Sequence, residues 1–518
     1  MNRPAAETGA APAVPNRGFI TVSIMLATIM QALDTTIANV ALPHMQGSLS
    51  ASQDQISWVL TSYIVAAAIM TPLTGWLAGR FGIKRVFLFS VAGFTAASVL
   101  CGLATGLAEM VVFRLLQGLC GAALVPLSQA VLLDINPRER HGQAMAIWGA
   151  GIMVGPILGP TLGGWLTDDY NWRWVFYINL PVGILAFLGI LTFVRESEPN
   201  RARRFDFFGF AMLSVAVGAL QLMLDRGEQK DWFGSLEIVV ECALAACCLW
   251  VFLVHTLTAR EPFVTPRLFT DRNFVSSLVL IFVVGVILYA TLALLPPLLQ
   301  GLMGYPVITT GEVLMPRGIG TMLAMLAVGR LTGKVDARLM LLAGLTLMAV
   351  SLWEMTRYSL EMDWRPVVWV GVVQGIGMGL VFVPLSTVAF ATLPSSHRTE
   401  AAAMFSLIRN IGGSIGISMV VSRLSENTQL FHERLAAVVT PYNQALMRPD
   451  VQRFWDIHTA AGLTALNDEV TRQAAMIAYL NDFKLMMLIT MGAIPLLLLL
   501  HKPQRRQVQS REEVAVAE

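Results

Sequence analysis

The chain has 518 residues, 55% of them hydrophobic and only 14% charged, with a net charge of +2 and a mean hydropathy of +0.63. Soluble globular chains carry roughly 25% charged residues, so the composition excludes a water-soluble domain and indicates an integral membrane protein. All five cysteines (Cys101, Cys120, Cys242, Cys247 and Cys248) fall in apolar runs, where a thiol behaves as a small hydrophobe, so no disulfide is expected.

Residues 1–17 are rich in Ala and Pro and read as a disordered cytoplasmic segment with no cleavable leader. A bilayer crossing needs about 20 apolar residues. About fourteen such runs follow, beginning near Phe19, Ile56, Val86, Met110, Gln143, Trp174, Phe207, Leu236, Phe274, Val313, Leu339, Val367, Ala401 and Phe483. The expected class is therefore an all-α polytopic membrane protein. Its expected parts are a six-helix bundle over 18–196, two inserted helices over 207–258, a six-helix bundle over 273–502 and a cytoplasmic tail over 503–518.

The first run holds an acid, Asp34, in LDTTIANVALP. Gln31, Asp34, Thr35 and Ala38 share a helical face spanning about 100°. A carboxylate at membrane depth costs about 2.5–3.5 kcal/mol on insertion scales and faces a cavity or a partner. It is either a structural ion-pair member or a proton carrier. The link after the second run reads GWLAGRFGIKR, from Gly75 to Arg85. Gly75 and Gly82 permit a tight turn, and Arg80, Lys84 and Arg85 can meet helix ends or carboxylates. Orientation by positive charge alone explains part of that pattern.

The fourth run carries Arg114, Gln117, Gly118 and Gly121 on one face. Arginine stays protonated at physiological pH. Near an acid in a polar cavity it opposes the effect of burial, and that balance is what a proton-coupled switch requires. Asp34 is therefore expected to carry the proton and Arg114 to tune it, with Gln31, Thr35, Gln117 and Gln374 as candidate substrate contacts.

The fifth run reads GIMVGPILGPTLGG, with Gly151, Gly155, Gly159 and Gly163 four residues apart and Gly164 adjacent. That spacing makes a bare stripe on which a second helix backbone can lie. Pro156 and Pro160 each remove a backbone donor, so a bend is expected. The tenth run adds Glu312 and Arg317, close to a turn apart, which can pair. It also holds Met315, Met322 and Met325, which suit either packing or a pocket for varied apolar molecules. Glu241, in an inserted helix, reads as structural, while Glu354 and Arg409 can line a cavity or serve structure.

The basic residues orient the chain. With the N-terminus in the cytoplasm, the inside links hold Arg80, Lys84, Arg85, Arg138, Arg140, Arg195, Arg201, Arg203, Arg204, Arg260, Arg267, Arg272, Arg330, Lys334, Arg338, Arg398 and the Lys502–Arg511 tail. The short outside links hold only Arg173, Arg226, Lys230, Arg357 and Arg365. A long polar link over 425–482 falls outside, and its part around Leu466–Tyr479 reads as an amphipathic helix. A link this long is uncommon unless functional or disordered.

The chain also repeats itself. Gln117-Gly118 followed by Val125-Pro126-Leu127-Ser128 recurs as Gln374-Gly375 followed by Val383-Pro384-Leu385-Ser386. The first block lies in the fourth run and the second in the fourth of the last six, so the halves are parallel repeats. Three residues before each Gln-Gly pair, the first half has Arg114 and the second Gly371.

These motifs resemble a known family. Gly155, Gly159-Pro160 and Gly163-Gly164 match the fifth-helix antiporter motif of proton-driven drug exporters in the major facilitator superfamily. Gly75–Arg85 resembles that superfamily's cytoplasmic loop motif, with Gly79 where the family has Asp, and Gly329–Arg338 echoes it in the second half. LDTTIANVALP and Trp172–Pro181 are similar to signatures of the fourteen-helix drug:proton antiporters. Gln221–Gly227 followed by Asp231-Trp232 resembles their EmrB-type branch.

The resemblance implies the major facilitator fold, two six-helix bundles plus two inserted helices. It implies proton-coupled export of hydrophobic or amphipathic compounds across a bacterial inner membrane, in which the basic residues and the even helix count put both termini in the cytoplasm. It also implies a periplasmic adaptor and an outer-membrane channel as partners. A proton-coupled importer, or an exporter of one metabolite such as a siderophore or fatty acid, is the alternative with the same fold. Nothing in the sequence indicates an enzyme, a metal, a cofactor or a nucleic-acid partner.

Overall fold

The computed structural model describes residues 16–197, 204–394, 397–440, 442–444, 446 and 448–500. The expected tail over 503–518, Arg201, Arg203 and residues 1–15 of the expected disordered start lie outside the described residues. Arg17, assigned to that start from sequence, already opens the first helix.

Among the described residues, thirteen helices are long and apolar enough to span a membrane, and a bent pair makes a fourteenth. They are α1 (Arg17–Ser48), α2 (Trp58–Met70 and Leu73–Phe81, bent by 56°), α3 (Ile83–Leu103), α4 (Leu107–Ile135), α5 (Arg138–Asp169), α6 (Trp174–Phe193), α7 (Phe207–Arg226) and α8 (Leu236–Thr258). The second half continues with α9 (Arg272–Leu302), α10 (Val307–Leu331), α11 (Ala337–Met355), α12 (Trp364–Ala391), α13 (Arg398–Ala436) and α14 (Ala460–Leu499).

The repeat seen in the sequence recurs in the packing. In the first half α1 packs on α5, α2 on α4, α3 on α4 and α3 on α6. In the second half α9 packs on α13, α10 on α12, α11 on α12 and α11 on α14. Four equivalent pairs in the same order are what a duplicated six-helix bundle gives.

The two halves meet closely at the end that carries the basic links. Arg398, at the start of α13, lies 2.7 Å from Asp134 at the end of α4. A Cβ added at Gly75 of α2 would stand 2.8 Å from the Glu400 Cα, so only glycine lets α2 and α13 approach this closely. Thr265, in the link between α8 and α9, donates its amide to Glu400 at 2.6 Å and its hydroxyl at 3.1 Å. Gly82 turns α2 into α3 at φ +94°, in the left-handed region that only glycine adopts without strain.

The inserted helices touch both bundles. On α7, Asp225 accepts a hydrogen bond from Thr61 of α2, and Gln221 accepts one from Ser414 of α13 at 2.9 Å. Four residues apart, they share a face. Asp206 caps α7 and holds His255 of α8 at 2.9 Å.

The long link over 425–482 proves mainly helical among its described residues. The helix of α13 runs on to Ala436, and α14 begins at Ala460, well before the Phe483 expected from hydropathy. With 39 residues and a rise of 1.5 Å each, α13 is about 58 Å long, against a hydrocarbon core of about 30 Å. Hydropathy ends where the lipid ends, whereas the helical hydrogen bonds continue. His432 of α13 and Asn467 of α14 lie 3.1 Å apart and keep the two extensions paired.

Candidate functional site

Asp34 sits on α1 with a relative exposure of 1%. Its carboxylate takes hydrogen bonds from three side chains on two other helices. Arg114 Nη1 donates to Oδ2 at 2.8 Å, Gln117 Nε2 to Oδ1 at 2.8 Å, and Asn179 Nδ2 to Oδ1 at 2.9 Å. Arg114, likewise 1% exposed, also donates to the Gln117 Oε1 at 2.7 Å. Asn179 donates to the Ser98 hydroxyl of α3 at 2.9 Å, which in turn donates to the Phe176 carbonyl at 2.9 Å. The guanidinium lies 4.8 Å from the ring centre of Phe176 and 5.4 Å from that of Tyr63, both favourable cation–π positions.

The local sequence explains the knot. Arg114, Gln117, Gly118 and Gly121 recur at helical spacing, and all four are buried. Gly118 abuts the Tyr63 backbone carbonyl, so α4 lies close against α2, while its long polar side chains Arg114 and Gln117 reach Asp34 on α1. A buried ion pair contributes little net stability, because desolvation offsets the attraction. Its chemical consequence is larger. Protonating Asp34 would cancel the charge that holds Arg114, and every helix in the knot would feel the change.

The glycine stripe of α5 lies on α1, directly behind Asp34. A Cβ at Gly155 would meet the Ala32 backbone carbon at 2.6 Å, one at Gly163 would meet Val40 at 3.3 Å, and one at Gly159 would clash with Thr36. The Thr36 hydroxyl donates to the Gly155 carbonyl at 3.1 Å. Gly164 is the exception: nothing stands within 4 Å of its would-be Cβ, so it is not part of the contact. Pro156 leaves the Ile152 carbonyl without its helical donor, and the helix breaks at Met153. The other face of α5 meets the second half, with Pro160 beside Gly311 of α10 and Ile157 against Gly318.

The other candidates fall in several places. Thr35 is exposed and Gln31 half-buried on α1, at the edge of the face that buries Asp34. The Thr35 hydroxyl returns to the Ala32 carbonyl at 2.9 Å. Gln117 is fully buried inside the knot. Gln374 lies in the other bundle, where its Nε2 donates to Thr291 of α9 at 3.5 Å. Gly75 and Gly82 act through close approach and turn geometry. Arg80 is half-buried at the end of α2, and Arg85 reaches Glu196 at 3.4 Å within its own bundle.

Glu312 and Arg317 do not pair. Five residues separate them by about 140° around a helix, leaving Glu312 exposed and the Arg317 backbone against α12. Glu354 pairs with Arg357 at 3.6 Å, and Arg409 is buried with its Nη2 3.4 Å from Asn410.

Sequence reading missed the role of Asn179, which lay inside a signature without being singled out. The available signal was a lone amide in an otherwise apolar run. Asp134 and Glu400 were missed because their partners lie in the opposite half.

Comparison with known proteins places this geometry. The Major Facilitator Superfamily profile matches residues 24–417. The fatty acid resistance protein FarB of Neisseria gonorrhoeae is 35% identical over 487 residues, 94% of this chain and 96% of that protein. The multidrug export protein EmrB of Escherichia coli strain K12 is 35% identical over 468 residues, 89% of this chain and 90% of that protein. The crystal structure of the human organic anion transporter MFSD10 superposes with a TM-score of 0.59 at 14% identity, covering 92% of this chain and all of that one, which supports the fold. With its profile, its relatives and its duplicated helix bundle in agreement, the chain is a multi-pass membrane transporter that belongs to the Major Facilitator Superfamily.

Proposed function

We propose that this chain is a proton-coupled antiporter that exports hydrophobic or amphipathic compounds by alternating access of its two six-helix bundles. The observation that carries the reading is the buried carboxylate of Asp34, held at 2.8 Å by Arg114 and bonded by Gln117 and Asn179. Asp34 takes up a proton from the outer side. The neutral acid no longer holds the guanidinium, so α4 and α6 loosen from α1. The glycines of α5 lock α1 to α5, and the opposite face of α5 bears on α10, so the shift passes to the second bundle. The contacts of Asp134 with Arg398 and of Gly75 with Glu400 then open on the cytoplasmic side, and the proton leaves inward.

Gln31 and Thr35 supply polar contacts on α1 to the compound, with Gln117 and Gln374 joining when the bundles rock. One proton moving inward gains about 2.3 kcal/mol per 100 mV and about 1.36 kcal/mol per pH unit. Roughly 1.4 kcal/mol sustains a tenfold gradient, so one or two protons suffice.

The basic links support an orientation with both termini cytoplasmic, and the likeness to EmrB supports the inner membrane as its place. The paired extensions of α13 and α14 reach beyond the core on the outer side, where a periplasmic adaptor leading to an outer-membrane channel would dock.

A second reading of the cargo follows from the fatty acid resistance relative: the same pump would export fatty acids. A susceptibility panel that includes fatty acids and cationic dyes, on cells with and without the gene and with and without an uncoupler, separates the readings. Loss of the gene should sensitise cells to its cargo, and the uncoupler should erase the difference. Deletion that sensitises cells to nothing overturns export.

A further inference from the structure

Among the described residues three acids are buried: Asp34, Glu400 and Asp482. Asp34 accepts from three side chains, and Glu400 accepts from Thr265. Asp482 on α14 is different. Its relative exposure is 0%, and neither Oδ1 nor Oδ2 has a hydrogen-bond partner. A carboxylate accepts through two oxygens and donates nothing. Buried and ionised without a donor, it is expensive to keep.

Phe483 and Met486 on the same helix are fully buried, as are Leu352 and Met355 of α11, one of the helices α14 packs on together with α13. Met486, one turn further along, meets the Thr291 hydroxyl of α9 at 3.9 Å. Thr291 in turn receives Gln374 of α12, so Asp482 stands one turn from the crossing that mirrors the Asp34 knot. The charge that acts on it comes from Arg423 of α13. Tyr479 lies on its own helix, Glu354 on α11 and Tyr289 on α9, while Tyr358, after α11, stacks edge-on against Phe483 with ring centres 6.1 Å apart. Asp482 lies near the middle of α14, 18 residues before Leu500; at about 1.5 Å each that is about 27 Å from the end beside the basic links, close to the full depth of a hydrocarbon core of about 30 Å and so toward its outer side.

We infer that Asp482 is a second proton-binding acid of the transport cycle, in the C-terminal bundle and reached from the outside. A proton adds to one carboxylate oxygen as the middle of α14 closes on α11 and α13, and no other bond changes. Release requires that packing to open, so proton occupancy and bundle position are linked. This inference rests on the antiport reading above.

The test uses the full chain in everted membrane vesicles with a compound to which the wild type confers resistance. Asp482→Asn keeps the shape and removes the titration. It should lower uptake driven by a proton gradient by about tenfold while leaving gradient-free exchange of the same compound within about twofold of wild type. Asp482→Glu should restore part of the driven uptake. Infrared difference spectra of the reconstituted protein on a pH jump should show one carboxylic acid band that Asp482→Asn removes and Asp34→Asn leaves. Driven uptake unchanged in Asp482→Asn, loss of driven uptake and exchange together, or an unaltered infrared band each overturns the inference. A wild type that moves no protons on adding compound overturns the antiport reading instead, and the infrared band still reports on Asp482.

Discussion

In the N-terminal bundle the crossing of α1, α4 and α6 is a charged knot, whereas the equivalent crossing of α9, α12 and α14 is almost apolar. The backbone plan is shared. Gly118 of α4 abuts the Tyr63 carbonyl of α2, and Gly375 of α12 abuts the Arg317 carbonyl of α10. Gln117 reaches α1, and Gln374 reaches α9. The side chains differ. Gln374 donates to Thr291 as Gln117 does to Asp34, Met486 meets Thr291 as Asn179 meets Asp34, and Gly371 lies three residues before its Gln-Gly pair as Arg114 does before its own. The cation has moved from the fourth helix of the first bundle to the second helix of the other, as Arg317, whose Cβ lies 3.4 Å from where a Gly371 Cβ would be. Duplication supplied a frame that brings helices close. One copy holds an acid–base pair in it, and the other a buried thioether and hydroxyl.

The comparison breaks most sharply at its two arginines. Arg114→Ala leaves Asp34 buried without its cation, which should destabilise the protein by about 3–5 kcal/mol. Arg317 has no ion pair among the described residues, so Arg317→Ala should cost about 1 kcal/mol, typical of an ordinary substitution. Thermal unfolding of the purified variants in detergent checks the order. Equal losses would mean that the two crossings are energetically alike.

Asp34→Asn comes next. The amide keeps the volume and two of the donors' acceptor sites but cannot titrate. If one charge is coupled per cycle, removing it should collapse steady-state accumulation by about fiftyfold at 100 mV. Gradient-free exchange should persist. Uptake into everted vesicles at imposed pH differences reads both quantities, and wild-type accumulation by the variant would exclude Asp34 as the carrier.

Much of the first bundle was legible in the sequence because its signals are local or periodic. Asp34 and Arg114 declare themselves as charges in apolar runs, and the glycines of α5 declare a contact face by their spacing. What the sequence does not carry is the identity of the partner across that face. The stripe predicts that something lies on α5, but only packing shows that it is α1, with Gly164 turned away. The same holds for Asp134 and Arg398, 264 residues apart. The ends of α13 and α14 escaped because hydropathy reports lipid contact, not helix length. Asp482 escaped because it falls just ahead of the last apolar run, where an acid looks like part of a solvated link.

The glycines sharpen the comparison from the packing side. Gly155→Ala places a methyl against the Ala32 backbone and should destabilise by about 1–3 kcal/mol. Gly164→Ala meets open space and should stay within about 0.5 kcal/mol, helped by the better helix propensity of alanine. Unfolding temperatures of the two variants, taken side by side, test whether the stripe is a contact with α1 or a tolerance for small residues along α5.

The two glutamines are the cleanest internal control, and Gln374→Leu should have the smallest effect of all. Gln117→Leu removes a donor to a buried carboxylate and an acceptor for Arg114, so its loss should be about 1.5–3 kcal/mol, as for bonds to charged groups. Gln374→Leu removes a 3.5 Å bond to a hydroxyl and also a buried Oε1 that has no partner. A weak bond lost and an unsatisfied acceptor removed nearly cancel, so the change should fall between a loss of about 0.5 kcal/mol and a slight gain. The same residue, at the same place in the same repeat, then differs only in what it bonds to. Unfolding measurements that rank Gln374→Leu as the worse variant would show that the apolar crossing, rather than the charged one, holds its bundle together.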